Sequence, residues 1–112
     1  MPRIVLVVRF EIRAQFRKEF LELMSNHARS TLSEEAGCLQ FDVLLANEEE
    51  LSDGTVRQAG DESVLIVETY RDAEAFRAHL DSDRLPRVRE AYTDWVIDRH
   101  ITRCWTLDSV ET

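Results

Sequence analysis

The sequence predicts an α+β domain in which helices pack on one face of a four-stranded antiparallel sheet. Three observations lead there. Short runs rich in β-formers recur four times, at Ile4–Phe10, Cys38–Leu45, Val64–Val67 and His100–Leu107. Between the first and second runs, and again between the third and fourth, the apolar residues change to a spacing of three and four, the period of a helix lying on a core. The second and third runs are instead separated by a polar, glycine-bearing stretch, which makes them partners across a hairpin-like connection.

Ile4 to Phe10 is β-branched and apolar on both faces. From Arg13 onward, Phe16, Phe20, Leu23, His27 and Thr31 step by four, three, four and four residues, and Met24 and Leu32 widen the stripe. Arg17, Lys18, Glu19, Glu22 and Arg29 fall off it, as the solvent side of a long helix should. Gly37 is expected to end this helix in the left-handed conformation. Cys38–Leu45 is the second strand. Ala46 to Glu62, with Asn-Glu-Glu-Glu, Ser-Asp-Gly and Gln-Ala-Gly-Asp, reads as an exposed acidic hairpin connection within which Thr55–Gln58 can pair as a short strand extension.

Val64–Tyr70 then runs straight into a helix. Asp72 can cap it, because the first backbone N–H groups of a helix lack internal partners, and Glu74 suits the positive end of its dipole. Ala73, Phe76 and Leu80 are expected to face inward, with His79 at the edge of that face. After Ser82-Asp83 a further helix begins, since Pro86 is tolerated in a first turn, and Leu85, Val88, Tyr92 and Trp95 are expected inward. His100–Leu107 closes the sheet. The order β-α-β-β-α-(α)-β is the ferredoxin-like arrangement.

Composition narrows the function. With 112 residues the chain is one domain, 1–112, with room for one core. Asp and Glu number 22 against 14 Lys and Arg, a net charge of −8, which excludes a nucleic-acid binder and a polybasic membrane binder. The apolar run Ile4–Val8 lies between two arginines and is too short for a signal peptide or a membrane span, so a cytoplasmic location is expected. Cys38 and Cys104 lack metal-ligand spacing and read as buried thiols, with a disulfide the less favoured alternative. The runs Ile4–Val8, Val43–Leu45 and Val64–Val67 are apolar on both faces, more than the helices of so short a chain can cover. A second copy of the same sheet is the simplest cover, so a homodimer is expected.

Two passages and the element order resemble the antibiotic biosynthesis monooxygenase (ABM) domain family of dimeric α+β barrels. Glu34-Glu-Ala-Gly-Cys-Leu-Gln-Phe-Asp-Val43 is similar to the family's Glu-Pro-Gly-Cys-Leu-x-Tyr/Phe-x-Val turn. Glu68-Thr-Tyr-Arg-Asp-Ala-Glu-Ala-Phe-Arg-Ala-His79 is similar to Glu-x-Tyr/Trp-x-Asp-x-x-Ala-x-x-x-His, the more specific of the two. The resemblance implies the fold and the dimer. Family members include cofactor-free oxygenases that turn phenols or hydroquinones into quinones, an isomerase of a phosphorylated autoinducer, and haem-degrading enzymes, so fold alone does not select the reaction. The chain departs from the family pattern in several places. Ala36 stands for the proline, the hairpin is longer, and His79 is followed by Leu-Asp-Ser-Asp-Arg84 where a second histidine is common. Arg89, His79 and Val8 stand near the places of the haem-degrading branch's ligand histidine, aromatic and asparagine, so that branch is not implied and neither is any cofactor.

The candidate catalytic residues are His79, His27 and Glu68. His79 is either a base in a pocket or a helix-end histidine satisfied by a backbone carbonyl, where its positive charge would suit the dipole. His27, on the apolar stripe, is either a buried structural residue or a second polar group in the same pocket. Glu68 shares a strand face with Tyr70 and, if inward, needs a partner. Arg9, Arg84 or Arg103 could pair with it, or it could orient an imidazole. Tyr70, Phe76, Tyr92 and Trp95 are the candidate substrate-binding residues, with core or dimer interface the competing reading for the aromatics. The leading expectation is a cofactor-independent monooxygenase acting on a small phenolic, quinol or polyketide-like molecule. The alternatives are a proton-transfer isomerase of a small carbonyl compound and a non-enzymatic small-ligand binding module.

Overall fold

The computed structural model describes residues 2–45, 49–50, 56–57 and 63–107. Strand β1 is Ile4–Ile12; a 3₁₀ turn, Ala14–Phe16, leads into helix α1, Arg17–Glu34; β2 is Cys38–Leu45. The two-residue strands β3, Glu49–Glu50, and β4, Val56–Arg57, pair antiparallel as a separate ribbon. Thus the core of the expected Thr55–Gln58 extension is present, and the rest of the 46–62 connection lies outside the described residues. Next come β5, Ser63–Tyr70, α2, Ala73–Leu80, α3, Arg84–Tyr92, and β6, Val96–Trp105. The main sheet has the order β2-β5-β1-β6 with every neighbour antiparallel, which is the ferredoxin-like topology. No helix among the described residues is long and apolar enough to cross a membrane.

One face of the sheet carries the core. Ile4, Leu6, Val8, Phe10 and Ile12 alternate along β1 and are all buried, as are Val64, Ile66, Glu68 and Tyr70 on β5. Phe10 meets Phe20 of α1 at 5.0 Å between ring centroids and Tyr92 of α3 at 5.4 Å, while Phe76 of α2 packs 5.5 Å from Tyr70, so the three helices share this face. Val5, Val7, Leu65 and Val67 on the opposite face are only partly buried, and none of the described helices lies over them.

Four expectations are corrected. Helix α1 buries Phe20, Met24, His27, Ala28 and Thr31, so its stripe is rotated away from Leu32, which is 44% exposed. Its C-cap is Glu35 in an extended conformation, and Gly37 does not adopt a left-handed φ. What Gly37 supplies is closeness: a Cβ there would stand 2.3 Å from the Cβ of Ala75 on α2. On α2, Ala73 and Leu80 are exposed and His79 is the buried residue, so the inward face centres on Phe76 and His79. Strand β6 starts at Val96, before the expected His100, because Val96 already pairs with Ile12. Asp98 and Arg99 broke the apolar pattern there, yet an exposed edge strand accepts charges freely. Its residues are exposed apart from Val96 and Cys104, which are partly buried.

Candidate functional site

Strand β5 ends in two polar side chains that point into the core. Glu68 stands between Leu6 of β1 and Phe41 of β2 in the register of the sheet, and Tyr70, two residues on, donates its hydroxyl to Glu68 Oε1 at 2.6 Å. The chain then turns into α2, whose cap is the one expected: Asp72 Oδ1 accepts from the Ala75 N–H at 2.9 Å. Two turns later His79 arrives over the end of the strand. Its ring centroid lies 5.1 Å from that of Tyr70, and its Nε2 is 3.6 Å from Glu68 Oε1.

A third element fixes the imidazole. The turn after α1 is held against the start of α2 by the Arg71 N–H to Gly37 carbonyl bond, 2.8 Å, and by the close approach at Gly37. That brings Glu35 to His79, with Oε1 2.9 Å from Nδ1. A carboxylate only accepts, so Nδ1 carries the proton, and in the neutral ring Nε2 is the basic nitrogen turned toward Glu68. Arg84, the first residue of α3, donates to Glu35 Oε2 at 2.8 Å and to Glu34 Oε2 at 2.9 Å. Three helices are therefore tied together around one histidine.

His27 approaches from α1. It stands edge-on to Phe41 at 5.3 Å and 5.7 Å from the His79 ring, and its Nδ1 is buried with no protein partner. Burial, reinforced by His79 and Arg84, lowers its pKa from 6.5 to about 4, so the ring is neutral at physiological pH. Burial raises the pKa of Glu68, against the opposing pull of the Tyr70 hydroxyl, His79 and Arg89. It also holds the Tyr70 phenol well above its ordinary range, with the Glu68 charge adding to the effect, so Tyr70 stays a neutral donor. Cys38 and Cys104 are free thiols; Cys38 is buried and pushed up to about 11, chiefly by that burial, which makes it inert.

His27, Glu68 and His79 border a cavity of about 60 Å³ between sheet and helices. Its inner end is His27, Phe41, Glu68 and His79; its walls are largely apolar, with Leu6, Val8, Met24 and Val88; Arg89, Arg99 and Ile101 lie at its exposed edge. Of the residues singled out in the sequence, His79, His27, Glu68 and Tyr92 converge here. Tyr70, Phe76 and Trp95 do not border the cavity. Tyr70 is fully buried behind Glu68, Phe76 packs on Tyr70, and Trp95, beyond the end of α3, stacks on Phe16 at 5.9 Å. Of the arginines considered for Glu68, Arg9 points to the opposite face and pairs with Glu11, Arg84 takes Glu34 and Glu35, and Arg103 lies over Trp105. Hence Glu68 faces an imidazole.

Sequence reasoning missed Glu35. A signal was present: Glu34 and Glu35 sit at the C-terminal end of a helix, where the dipole disfavours acids, so a specific cationic partner was called for. Among the described residues no group of three or more His, Cys, Asp or Glu side chains is arranged to hold a metal ion.

Solved structures confirm the fold. A candidate antibiotic biosynthesis monooxygenase from Caulobacter crescentus CB15 superimposes with a TM-score of 0.79 at 16% identity, covering 96% of this chain and 92% of its own. Similar proteins from Nitrosomonas europaea, with a TM-score of 0.76, 18% identity and coverage of 95% and 91%, and Deinococcus radiodurans, 0.75, 19% and 97% of both chains, agree. No functionally curated protein matches the sequence. Residues 3–96 match the antibiotic biosynthesis monooxygenase family, and the chain belongs to that family.

Proposed function

We propose that the protein is a cofactor-independent monooxygenase of small single-ring phenols, with His79 as the base. The observation that carries this reading is the bond from His79 Nδ1 to Glu35, which leaves Nε2 free as a base beside Glu68 at the inner end of an apolar cavity. Membership of the family supports a monooxygenase-like role. Nε2 takes the hydroxyl proton, and the imidazolium so formed is stabilised by Glu35. The phenolate, held in a dry cavity with the free Nδ1 of His27 as a hydrogen-bonding partner, is electron-rich enough to give one electron to dioxygen. The radicals combine at the ring carbon para to the oxygen. Loss of that carbon's hydrogen and cleavage of the O–O bond leave a quinone and one water, with one dioxygen consumed.

Size selects the substrate. The cavity holds the equivalent of about four to six waters at ~10–15 Å³ each, which suits one ring. An oxygen electrode with a panel of phenols unsubstituted at the para carbon tests the reading. Uptake of one dioxygen per quinone is expected, and His79→Ala should lower it by about 10²-fold while the protein stays folded. No uptake across the panel would overturn the assignment, and conversion of a carbonyl compound without oxygen uptake would replace it with isomerisation.

The functional unit in this reading is a homodimer. Val5, Val7, Leu65 and Val67 form an apolar stripe on the open face that a second sheet can cover. Light scattering at micromolar concentration should give twice the chain's mass, with an interface of at least ~1,200 Å²; a monomer at that concentration would remove the dimer.

A further inference from the structure

The cavity is polarised along its length, and the outer half has no task in the chemistry above. Arg89, in the last turn of α3, and Arg99, on β6, come from different elements to one edge of the cavity. In a chain with 22 acids to 14 Lys and Arg, other arginines nearby are paired, Arg84 with two glutamates and Arg71 with Asp72. Among the described residues neither Arg89 nor Arg99 has a carboxylate within ion-pair distance. The side-chain contact that Arg99 makes is with a neutral group, the Tyr92 hydroxyl, to which it donates at 2.9 Å. Since that oxygen accepts from Arg99, the Tyr92 proton remains available to a third party. Tyr92 is 8% exposed and lines the cavity that Arg89 and Arg99 also border. At the other end, His27 Nδ1 is buried without a partner. Hydrogen-bonding groups at both ends of an apolar slot describe a ligand that is polar at both ends.

We infer that Arg89, Arg99 and Tyr92 form a subsite for an oxyanion carried by the substrate, a carboxylate or phosphate attached to the ring at a carbon other than the one para to the hydroxyl and directed toward the cavity's mouth. The inference rests on the ring-binding reading above and adds the charge of the substrate to it. Guanidinium groups suit this role because they offer paired N–H donors to carboxylate and phosphate oxygens and stay charged at any working pH. Arg89 also lies close enough to Glu68 to favour its ionised form across the cavity, consistent with its side chain facing inward. A bound oxyanion would neutralise the guanidinium pair at the mouth. It would also fix which end of the ring enters first, presenting the hydroxyl to His79.

The test measures binding and needs no turnover. Dissociation constants of benzoate and phenyl phosphate are compared with that of benzamide, a neutral molecule of benzoate's shape, by ligand-observed NMR on the full chain at low salt. At least one of the two anions should bind about 10-fold or more tightly than benzamide, the scale of charge-assisted bonds at a partly exposed site. Which anion wins identifies the substituent. The preference should vanish in the Arg89→Gln/Arg99→Gln double variant. It should survive in Arg77→Gln/Arg87→Gln, which removes the same charge from exposed positions that do not border the cavity. Equal binding of benzamide and both anions, no binding of any of the three, or equal loss of the preference in both double variants would overturn the inference. Equal binding leaves the oxygenase reading standing, and an anion preference in a protein that consumes no oxygen with any phenol does the reverse, so the two can fail separately.

Discussion

Ile66 and Ile101 flank the same residue, Val8, in the strands on either side of β1, yet Ile66 is 0% exposed and Ile101 is 46% exposed. Residue type, register partner and sheet face are matched. The helical layer is what differs, since α1, α2 and α3 cover the inner face over β2, β5 and β1 and leave β6 open. Strand pairing satisfies backbone hydrogen bonds, whereas burial needs a second layer. The candidate site lies where that layer ends, with its acid and imidazoles under the helices and with Arg89 of α3 and Arg99 of β6 at its exposed edge. A pocket at the margin of a layer can be dry at one end and reachable at the other.

The comparison can be broken first by truncating both isoleucines. Ile66→Ala should cost about 2–5 kcal/mol in denaturant unfolding, the range for a large-to-small change in a closed core, and Ile101→Ala no more than about 0.5 kcal/mol. Equal costs would mean that β6 is covered in solution by something beyond this chain.

Next in size is a pH effect confined to the covered side. The folded-state pKa of His27 is depressed from 6.5 to about 4, so its contribution is fully present above about 6.5. As pH falls from there toward 4, the unfolded chain takes up a proton that the folded protein refuses. Stability is therefore lost in that window, by about 2–3 kcal/mol, and no further loss from this group follows below it. His27→Gln, which does not titrate, should flatten the wild-type decline between pH 6.5 and 4, measured by thermal or urea unfolding. An unchanged slope would show that His27 is not held neutral.

The smallest expected effect sharpens the role of Glu35, which touches His79 without bordering the cavity. Glu35→Gln should lower kcat by about 10-fold with KM within a few-fold of wild type, and should displace the acid limb of the pH–rate profile, because the amide orients the ring without stabilising its positive charge. A purely structural Glu35 would leave both kcat and the limb of the folded variant in place.

Much of this was legible in the chain. The β5–α2 junction announced itself through the change of period at Arg71-Asp72 and the cap, and it delivered Glu68 and His79 to one another. Phe20, Val88 and Tyr92 were readable as core from spacing alone. Leu32 and Leu80 were misread because an apolar residue at the margin of a stripe carries the same signal as one at its centre, and only the neighbouring elements decide which way the helix is rolled. Tyr70 and Phe76 were placed in the cavity because proximity to His79 along the chain resembles proximity in space; the fold instead sets them behind Glu68.

The sequence by itself determined the elements, their order and the one-sided sheet, because backbone propensity and hydrophobic period are local properties. It also determined that Glu68 and His79 would meet, since they are carried by a strand and the helix that follows it directly. Only the tertiary structure decided that Glu35 backs His79, that Arg84 serves Glu34 and Glu35 in place of Glu68, and that Arg89 and Arg99 share the cavity's mouth. Those placements bring together residues that are not neighbours in the chain. They depend on how tightly the Gly37 turn closes on Ala75 and on where the helical layer stops, and neither distance is written in any local pattern of side chains.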